Sequence, residues 1–325
     1  MNKITSEDKI FIAGAHGMAG KAITRNFIKN GYKFLFTPTR SELNLFDPQA
    51  VKEWFSKNKP NVVVIAAAKV GGILANSTYP TEFLLENLKL QNNLIETSWK
   101  FGVKRLLFLG SSCIYPKFAT QPIEEESLLS GKLEITNESY AIAKIAGIKL
   151  CTSLRIQYGF DAISLMPTNL YGYGDNYDPD NSHVMASLMK KFFEAKSKGL
   201  SSVTCWGSGK PFREFLHVDD LGSAVSFALE KWDPDSKNAP LDKFRKPLLW
   251  LNVGTGKDIS IYDLAKKISA TVGFNGEIIW DTQMPDGTPK KMLNIEKMKS
   301  LGWEPKISLK EGIKKTLDNY KSNIK

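Results

Sequence analysis

The sequence predicts an α/β fold built on a doubly wound parallel sheet, and three observations support this prediction. Short apolar runs alternate with amphipathic helical stretches through the first half of the chain, a glycine-rich turn directly follows the first apolar run, and 42% of the 325 residues are hydrophobic. A chain of this length and composition buries a large core. We therefore expect one main domain with a smaller C-terminal lobe.

The expected strands of the main sheet are short apolar runs bounded by polar or turn residues. They cover residues 9–13, 34–36, 62–66, 105–109 and 162–166. Helical patterns lie between them and include residues 21–29, 81–100 and 139–158. Strands that alternate with helices in this way form parallel sheets, because each return connection crosses a face of the sheet.

Beyond residue 169 the alternation loosens into loops rich in Gly, Pro, Asn and Asp. These loops are residues 171–181, 206–211 and 284–288, and helices are expected at 182–198 and 261–272. We expect this part to form a lobe that closes over the carboxyl edge of the sheet. The predicted division is a sheet domain of residues 1–170 plus 212–257 and a lobe of residues 171–211 plus 258–325.

Composition argues against several classes of protein. Cys113, Cys151 and Cys205 are far apart and form no CxxC pair, so we expect no disulfide frame, no metal site and a reducing cytoplasm. The longest apolar run, residues 62–68, is too short to span a bilayer. The lysines behind the net charge of +10 are scattered, which predicts a solvated surface and no nucleic-acid partner, with some attraction for an anionic diphosphate.

The glycine-rich turn after the first strand predicts a dinucleotide site of the Rossmann type. Gly14, Gly17 and Gly20 follow a GxxGxxG spacing, with His16 and Met18 between them. Glycines let the turn tighten and let the backbone approach a pyrophosphate, which then binds at the positive end of the following helix. A plain strand-to-helix turn would also use glycine, but the position directly after the first strand favours the cofactor site.

The expected cofactor is NADP(H) rather than NAD(H). A site selective for NAD has a carboxylate after the second strand to bind the ribose hydroxyls, whereas here that strand is followed by Thr37, Pro38, Thr39 and Arg40. The guanidinium of Arg40 suits a 2′-phosphate. The other interpretation of Arg40 is an ordinary surface arginine.

A tyrosine and a lysine four residues apart form the candidate catalytic pair. Tyr140 and Lys144 are expected on one face of a helix, where the ammonium would lower the phenol pKa from its ordinary value of about 10 and would also hold the nicotinamide ribose. Ser111 follows the fourth strand at the carboxyl edge of the sheet, within reach of a substrate carbonyl. The spacing of Tyr140 and Lys144 is common on helices, so the interpretation depends on Ser111 and the glycine turn.

Together these residues resemble the extended short-chain dehydrogenase/reductase family. Further stretches resemble the GDP-L-fucose synthase family over nearly the whole chain, namely residues 66–73, 110–116, 140–150, 166–172, 181–184, 213–220, 253–256 and 285–289. This resemblance implies a GDP-4-keto-6-deoxymannose 3,5-epimerase and 4-reductase, which would bind NADP(H) on the sheet domain and the GDP-sugar on the lobe. A role in surface polysaccharide synthesis is expected on the same ground.

The resemblance assigns the epimerisation to Cys113 and His183. The carbon-4 ketone acidifies the protons on carbons 3 and 5, so the reaction needs a base and an acid that returns a proton. In the reduction that follows, Tyr140 would protonate the alkoxide and Ser111 would polarise the ketone. Taken alone, Cys113 would be a small buried hydrophobe and His183 a residue at a helix start.

The resemblance also implies the remaining binding residues. It assigns Ala67, Met166, Asn169 and His183 to the cofactor, and it assigns Asn169, Lys191, Trp206, Arg213 and Lys291 to the substrate. For Arg213 the other interpretation is a structural ion pair. The sequence departs from the family pattern at His16 and Lys191, where the family commonly has arginine, and the loop containing Tyr173 and Gly174 leaves the sugar open.

Three other functions stay open at this point. One is a carbon-4 reductase that acts on a GDP-4-keto-heptose without epimerisation, and another is a non-catalytic NADP-binding protein. A nucleotide-sugar 4,6-dehydratase is less consistent, because Cys113 and Ile114 stand where that reaction needs a carboxylic acid. The resemblance further implies a homodimer, formed by helices 81–100 and 139–158.

Overall fold

The computed structural model describes residues 3–178, 182–284 and 286–324. The strands are β1 Ile10–Ala13, β2 Leu35–Phe36, β3 Val62–Ile65, β4 Arg105–Leu109, β5 Ala162–Pro167, β6 Asn169–Tyr171, β7 Ser202–Trp206, β8 Phe212–His217, β9 Trp250–Val253, β10 Asp258–Ser260, β11 Glu277–Asp281 and β12 Lys290–Lys291. The helices are α1 Met18–Lys29, α2 Pro48–Asn58, α3 Ile73–Thr78, α4 Pro80–Lys100, α5 Glu138–Tyr158, α6 Val184–Ser197, α7 Val218–Lys231, α8 Ile261–Val272, α9 Glu296–Leu301 and α10 Leu309–Ile324. Residues 179–181 of the predicted loop at 171–181, and residue 285 of the loop at 284–288, lie outside the described residues.

The main sheet has six parallel strands in the order β2-β1-β3-β4-β5-β9. The predicted α/β class and doubly wound sheet are confirmed, and the five predicted strands agree with β1 to β5 to within one residue at each end. The sequence did not identify β9, because its four residues follow a long irregular segment. Strand order reverses at β1, so the connections that follow β1 and β3 run to opposite faces of the sheet and open a crevice outside the carboxyl ends of these strands.

Helices cover both faces of this sheet, and successive residues of β1 alternate between the two cores. Ile10 and Ile12 pack with Phe27 of α1 and Leu221 of α7 on one face. On the other face Phe11 packs with residues of α2, α4 and α5, including Phe55, Leu94 and Ile148. Burial on both faces explains why the strands are continuous apolar runs instead of alternating polar and apolar residues.

A smaller body contains much of the chain after β5, whereas α7 packs on the main sheet and β9 belongs to it. Strand β8 lies between β10 and β12 and also pairs with β6, while β7 and β11 form a separate parallel pair. Helices α6, α8 and α10 surround a third core that includes Phe192, Ile268 and Leu317. The division into a sheet domain and a lobe stays a prediction, and β8, which belongs to the segment 212–257, pairs with β10 and β12 of the proposed lobe.

Within the described ranges, none of the helices combines the length and the apolar character that crossing a bilayer requires.

Candidate active site

A cavity of about 930 Å³ lies at the carboxyl ends of β1 and β3. Twelve of the predicted site residues line it: Gly14, His16, Gly17, Met18, Gly20, Arg40, Ala67, Ser111, Cys113, Tyr140, Asn169 and His183. The structure therefore brings the glycine turn and the candidate catalytic residues to one continuous space. Lys191, Trp206, Arg213 and Lys291 belong to elements of the smaller body.

The glycine turn has room only for glycine at two of its three positions. Gly14 has φ +83°, and a Cβ there would lie 2.6 Å from the Cα of Ala67. A Cβ on Gly20 would lie 2.0 Å from the carbonyl oxygen of Gly14, whereas one on Gly17 would be 3.5 Å from that oxygen. The N-terminus of α1 has no side-chain cap, so its backbone N–H groups are left for a ligand. These features fit a dinucleotide pyrophosphate.

His16 and Arg40 lie where the cavity meets the loop after β2. The Nε2 atom of His16 is 3.0 Å from the carbonyl oxygen of Thr37, which joins the glycine turn to that loop. Glu42 accepts hydrogen bonds from the backbone N–H of Thr39 at 2.7 Å and from its hydroxyl at 2.9 Å, and these bonds lower the pKa of Glu42. The loop is thus folded on itself, with the exposed Arg40 at the cavity wall.

Lys144 is buried, and burial disfavours the charged form of its amine. Its Nζ donates to the carbonyl oxygen of Leu109 at 2.8 Å and lies 5.9 Å from the ring centre of Tyr140. Burial lowers the pKa of Lys144 to about 7. The cavity-lining Tyr140 and the lysine behind it share one side of α5, as the spacing predicted.

The expected lowering of the Tyr140 pKa by Lys144 is not what the structure gives. Burial raises the pKa of Tyr140 well above its ordinary value, the nearby Cys113 raises it further, and a hydrogen bond from Ser111 opposes the rise. Lys144 does not lower it because the ammonium is turned toward the carbonyl oxygen of Leu109 and burial lowers the pKa of Lys144 itself. Ser111 is the group that favours the phenolate here.

Cys113 has two nitrogen donors at its sulfur. The side-chain amide of Asn137 lies 3.4 Å from Sγ, and the ammonium of Lys291 lies 3.6 Å from it. Burial lowers the pKa of His183, and the charge of Lys291 lowers it further. Lys291 therefore contacts one of the two residues expected to exchange protons with the substrate and lowers the pKa of the other.

The candidate substrate residues lie on neighbouring strands and on α6. Lys291 of β12 is the Cα partner of Arg213 on β8, and Asn169 on β6 is the partner of Phe215 two residues further on. The guanidinium of Arg213 donates to the backbone carbonyl oxygens of Phe212 at 2.8 Å and Asp286 at 3.2 Å. A structural ion pair would use a carboxylate as the acceptor instead.

Lys191 and Trp206 form a separate pair in the smaller body. The Nζ of Lys191 lies 5.4 Å from the ring centre of Trp206 and donates to the carbonyl oxygen of Thr204 at 3.0 Å. Trp206 leaves half of its surface exposed. Met166, in contrast, is fully buried in β5 behind Gly110, so its side chain is shielded from the cavity.

Sequence reasoning missed three residues with clear positions in this region. Asn137 contacts Cys113, Lys69 lines the cavity while paired with Glu86 at 2.8 Å, and Glu214 connects several backbone segments. For Asn137 a signal existed, because it precedes Tyr140 by three residues at the start of the same helix. Lys69 and Glu214 depend on contacts that spacing along the chain does not reveal.

The fold and the site define a nicotinamide-dependent dehydrogenase of the short-chain type, and residues 10–240 match the NAD dependent epimerase/dehydratase family. GDP-L-fucose synthase 1 of Arabidopsis thaliana is 50% identical over 97% of this chain and 94% of its own length. GDP-L-fucose synthase of Escherichia coli (strain K12) is 47% identical over 98% of both chains. The chain belongs to the GDP-L-fucose synthase family, which confirms the resemblance predicted from the sequence.

Solved structures agree with this assignment. A GDP-6-OMe-4-keto-L-xylo-heptose reductase from C. jejuni is 38% identical, with a TM-score of 0.91 over 98% of this chain and 99% of that one. A GDP-L-fucose synthetase from Naegleria fowleri, solved with NADP bound, is 27% identical, with a TM-score of 0.85 over 99% of this chain and 96% of that one.

Proposed function

We propose that this chain is an NADPH-dependent enzyme that converts a GDP-4-keto-6-deoxyhexose by 3,5-epimerisation and then reduces carbon 4. The observation that carries the proposal is the convergence of Ser111, Cys113, Tyr140 and His183 on one cavity, in a chain about half identical to named GDP-L-fucose synthases. When bound, NADPH supplies the hydride for carbon 4. The glycine turn and Arg40 hold its phosphates, and Lys144 would hold the nicotinamide ribose once its ammonium turns from the carbonyl oxygen of Leu109 toward the cavity.

In the epimerisation Cys113 removes the proton from carbon 3 or 5 and His183 returns one to the opposite face. The ammonium of Lys291 lies 3.6 Å from the sulfur, and its charge lowers the pKa of His183 and so favours release of the imidazolium proton. In the reduction Tyr140 gives its proton to the alkoxide oxygen at carbon 4 while Ser111 donates a hydrogen bond to the ketone. Arg213 binds the diphosphate with its fork of N–H groups, and Lys191, Trp206 and Asn169 complete the substrate site.

A second candidate is reduction of a GDP-4-keto-heptose without epimerisation. The C. jejuni heptose reductase favours it, because that structure superposes on this chain over nearly its full length. The fucose synthases commonly have arginine at the positions of His16 and Lys191. Neither side chain here has the fork of a guanidinium, so the ligand would be hydrogen-bonded differently. A non-catalytic NADP-binding protein would have no use for the Ser111, Tyr140 and Lys144 arrangement.

The experiment that separates these functions is NADPH oxidation in deuterated water with each of the two keto-sugars, followed by NMR of the product. Turnover of the hexose with deuterium at carbons 3 and 5 is the expected result. Turnover of the heptose alone, with no deuterium at those carbons, would establish the reductase instead. Tyr140→Phe is the matched control: it removes only the hydroxyl, so it should lower the oxidation rate by about a hundredfold or more while deuterium still enters. Absence of oxidation with either sugar would favour the binding protein.

We further place the enzyme in the cytoplasm and propose a homodimer through α4 and α5. Both helices carry exposed apolar side chains, including Leu85, Ile142 and Ile156. Light scattering of the purified protein tests this proposal, since a monomeric mass at working concentration would contradict it.

A further inference from the structure

Glu214 is a fully buried carboxylate that accepts hydrogen bonds from three backbone N–H groups. Its Oε1 accepts from the N–H of Thr255 and from that of Gly256 at 2.7 Å, and its Oε2 accepts from the N–H of Leu293 at 2.8 Å. Burial raises the pKa of Glu214, and these bonds oppose the rise. Replacing a buried carboxylate that is hydrogen-bonded to backbone amides is costly, because every one of those buried N–H groups then loses its acceptor.

The three amides belong to segments that are far apart in the sequence. Thr255 and Gly256 follow β9 of the main sheet, while Leu293 follows Lys291 by two residues. The carbonyl of Glu214 also accepts from the amide of Asn169 at 2.7 Å. A single residue thus connects the carboxyl edge of the main sheet to the strands that carry the proposed substrate residues.

The backbone at Gly254 packs closely against the carboxylate of Glu214. A Cβ on Gly254 would lie 2.2 Å from Oε1 of Glu214, so the approach of the side chain requires glycine at that position. Arg213 directly precedes Glu214 on β8 and faces Lys291 across the β8–β12 pair. If the hydrogen bonds of Glu214 were lost, the backbone that carries Arg213 and Lys291 would therefore shift, and both side chains would move relative to the cavity.

We propose that Glu214 is a positioning residue for substrate binding, whose carboxylate fastens the strand of Arg213 to the turn after β9 and to the segment after Lys291. The inference rests on the proposed function, because it takes Arg213 as the residue that binds the diphosphate and Lys291 as a substrate residue beside Cys113. Cofactor binding involves the glycine turn and the loop after β2, to which Glu214 makes no hydrogen bond among the residues described. Asn169, which is also assigned to the cofactor, donates to the backbone carbonyl of Glu214, and that group remains when the side chain is changed. The two ligands should therefore respond differently to its loss.

The test compares wild type with Glu214→Gln and Glu214→Asp, using GDP and NADPH as separate probes. Glutamine replaces an acceptor by a donor that faces a backbone N–H, and aspartate is one methylene too short to reach all three. Both variants should raise the Kd for GDP by about tenfold or more, as measured by calorimetry. The Kd for NADPH, measured by fluorescence, should stay within about twofold.

Asp220→Asn is the matched control. Asp220 is also a buried carboxylate held by backbone N–H groups, those of Lys306 at 3.1 Å and Ile307 at 2.9 Å, and it lies on α7 outside the cavity. It should lower the Tm comparably without changing the Kd for GDP. An unchanged Kd for GDP in the Glu214 variants, or an equal rise in Asp220→Asn or in the Kd for NADPH, overturns the inference.

The outcomes also separate this inference from the proposed function. Wild type that binds GDP but turns over neither keto-sugar contradicts the function and leaves the Glu214 test intact, whereas wild type that binds no GDP contradicts both. If neither Glu214 variant folds, amide hydrogen exchange of the wild type decides. GDP should slow exchange at Thr255, Gly256 and Leu293, and unchanged exchange there overturns the inference.

Discussion

At the scale of single residues, the site depends on charges that act on one another across short distances. Lys291 lies 3.6 Å from the sulfur of Cys113 and lowers the pKa of His183. One ammonium therefore contacts the proposed base and makes the imidazolium of the proposed acid more acidic. The sequence pointed to each of the three residues separately, but their mutual influence depends on distances that only the folded chain sets.

Lys291→Gln should raise the pKa of His183. The substitution removes the cation that disfavours the imidazolium, while burial, the larger cause of the lowered pKa, remains. The His183 value should therefore move upward and still lie below that of an exposed histidine. NMR titration measures this directly, because the chain has three histidines. His16 and His217 serve as internal references, and an unmoved His183 resonance would contradict the electrostatic role of Lys291.

At the scale of elements, the turn between β1 and α1 is the part most fully set by local sequence. A strand of four buried residues, a glycine with positive φ and a helix packed tightly at Gly20 follow directly from residues 10–29. The strands β9 and β12 were not identified from the sequence. Their pairing with the distant strands β5 and β8 makes them strands.

Gly20→Ala should weaken NADPH binding by about tenfold or more. The added methyl would lie 2.0 Å from the carbonyl oxygen of Gly14, so the turn must open and the N–H groups of α1 move. Gly312→Ala adds the same methyl at 2.0 Å from the hydroxyl oxygen of Tyr171, on α10 and outside the cavity lining, which makes it the matched control. Fluorescence titration with NADPH distinguishes them, and equal affinities for the two variants would contradict this view of the turn.

At the scale of the whole molecule, two cores sandwich the main sheet and a third fills the smaller body. The active site lies where the carboxyl edge of the main sheet meets the smaller body. Lys144 is buried there behind Tyr140. Burying a cation has a thermodynamic consequence for the entire chain, because the folded state binds the lysine proton more weakly than the unfolded state does.

The wild-type free energy of unfolding should rise with pH, relative to Lys144→Met, from about pH 7 upward. Burial lowers the pKa of Lys144 to about 7, so above that pH the unfolded chain still binds a proton that the folded chain has released. More protons bound in the unfolded state make stability increase with pH, by about 1.4 kcal/mol per pH unit for one proton. The increase ends near the ordinary lysine pKa.

Urea denaturation of both proteins at pH 7, 8 and 9 checks this slope. Lys149→Met is the matched control, because Lys149 is an exposed lysine on the same helix. It should retain the wild-type slope. Parallel pH dependence of wild type and Lys144→Met would mean that Lys144 stays charged in the folded protein.

The sequence by itself determined the five main strands, the glycine turn and the placement of Tyr140 and Lys144 on one helix, because these features depend on spacings of a few residues. Only the tertiary structure decided that Lys291, 178 residues away, reaches Cys113, that Glu214 collects amides from two distant segments, and that the pKa of Tyr140 is raised. Those properties depend on burial and on contacts between residues far apart in the chain, which exist only once the sheet and the smaller body have packed together.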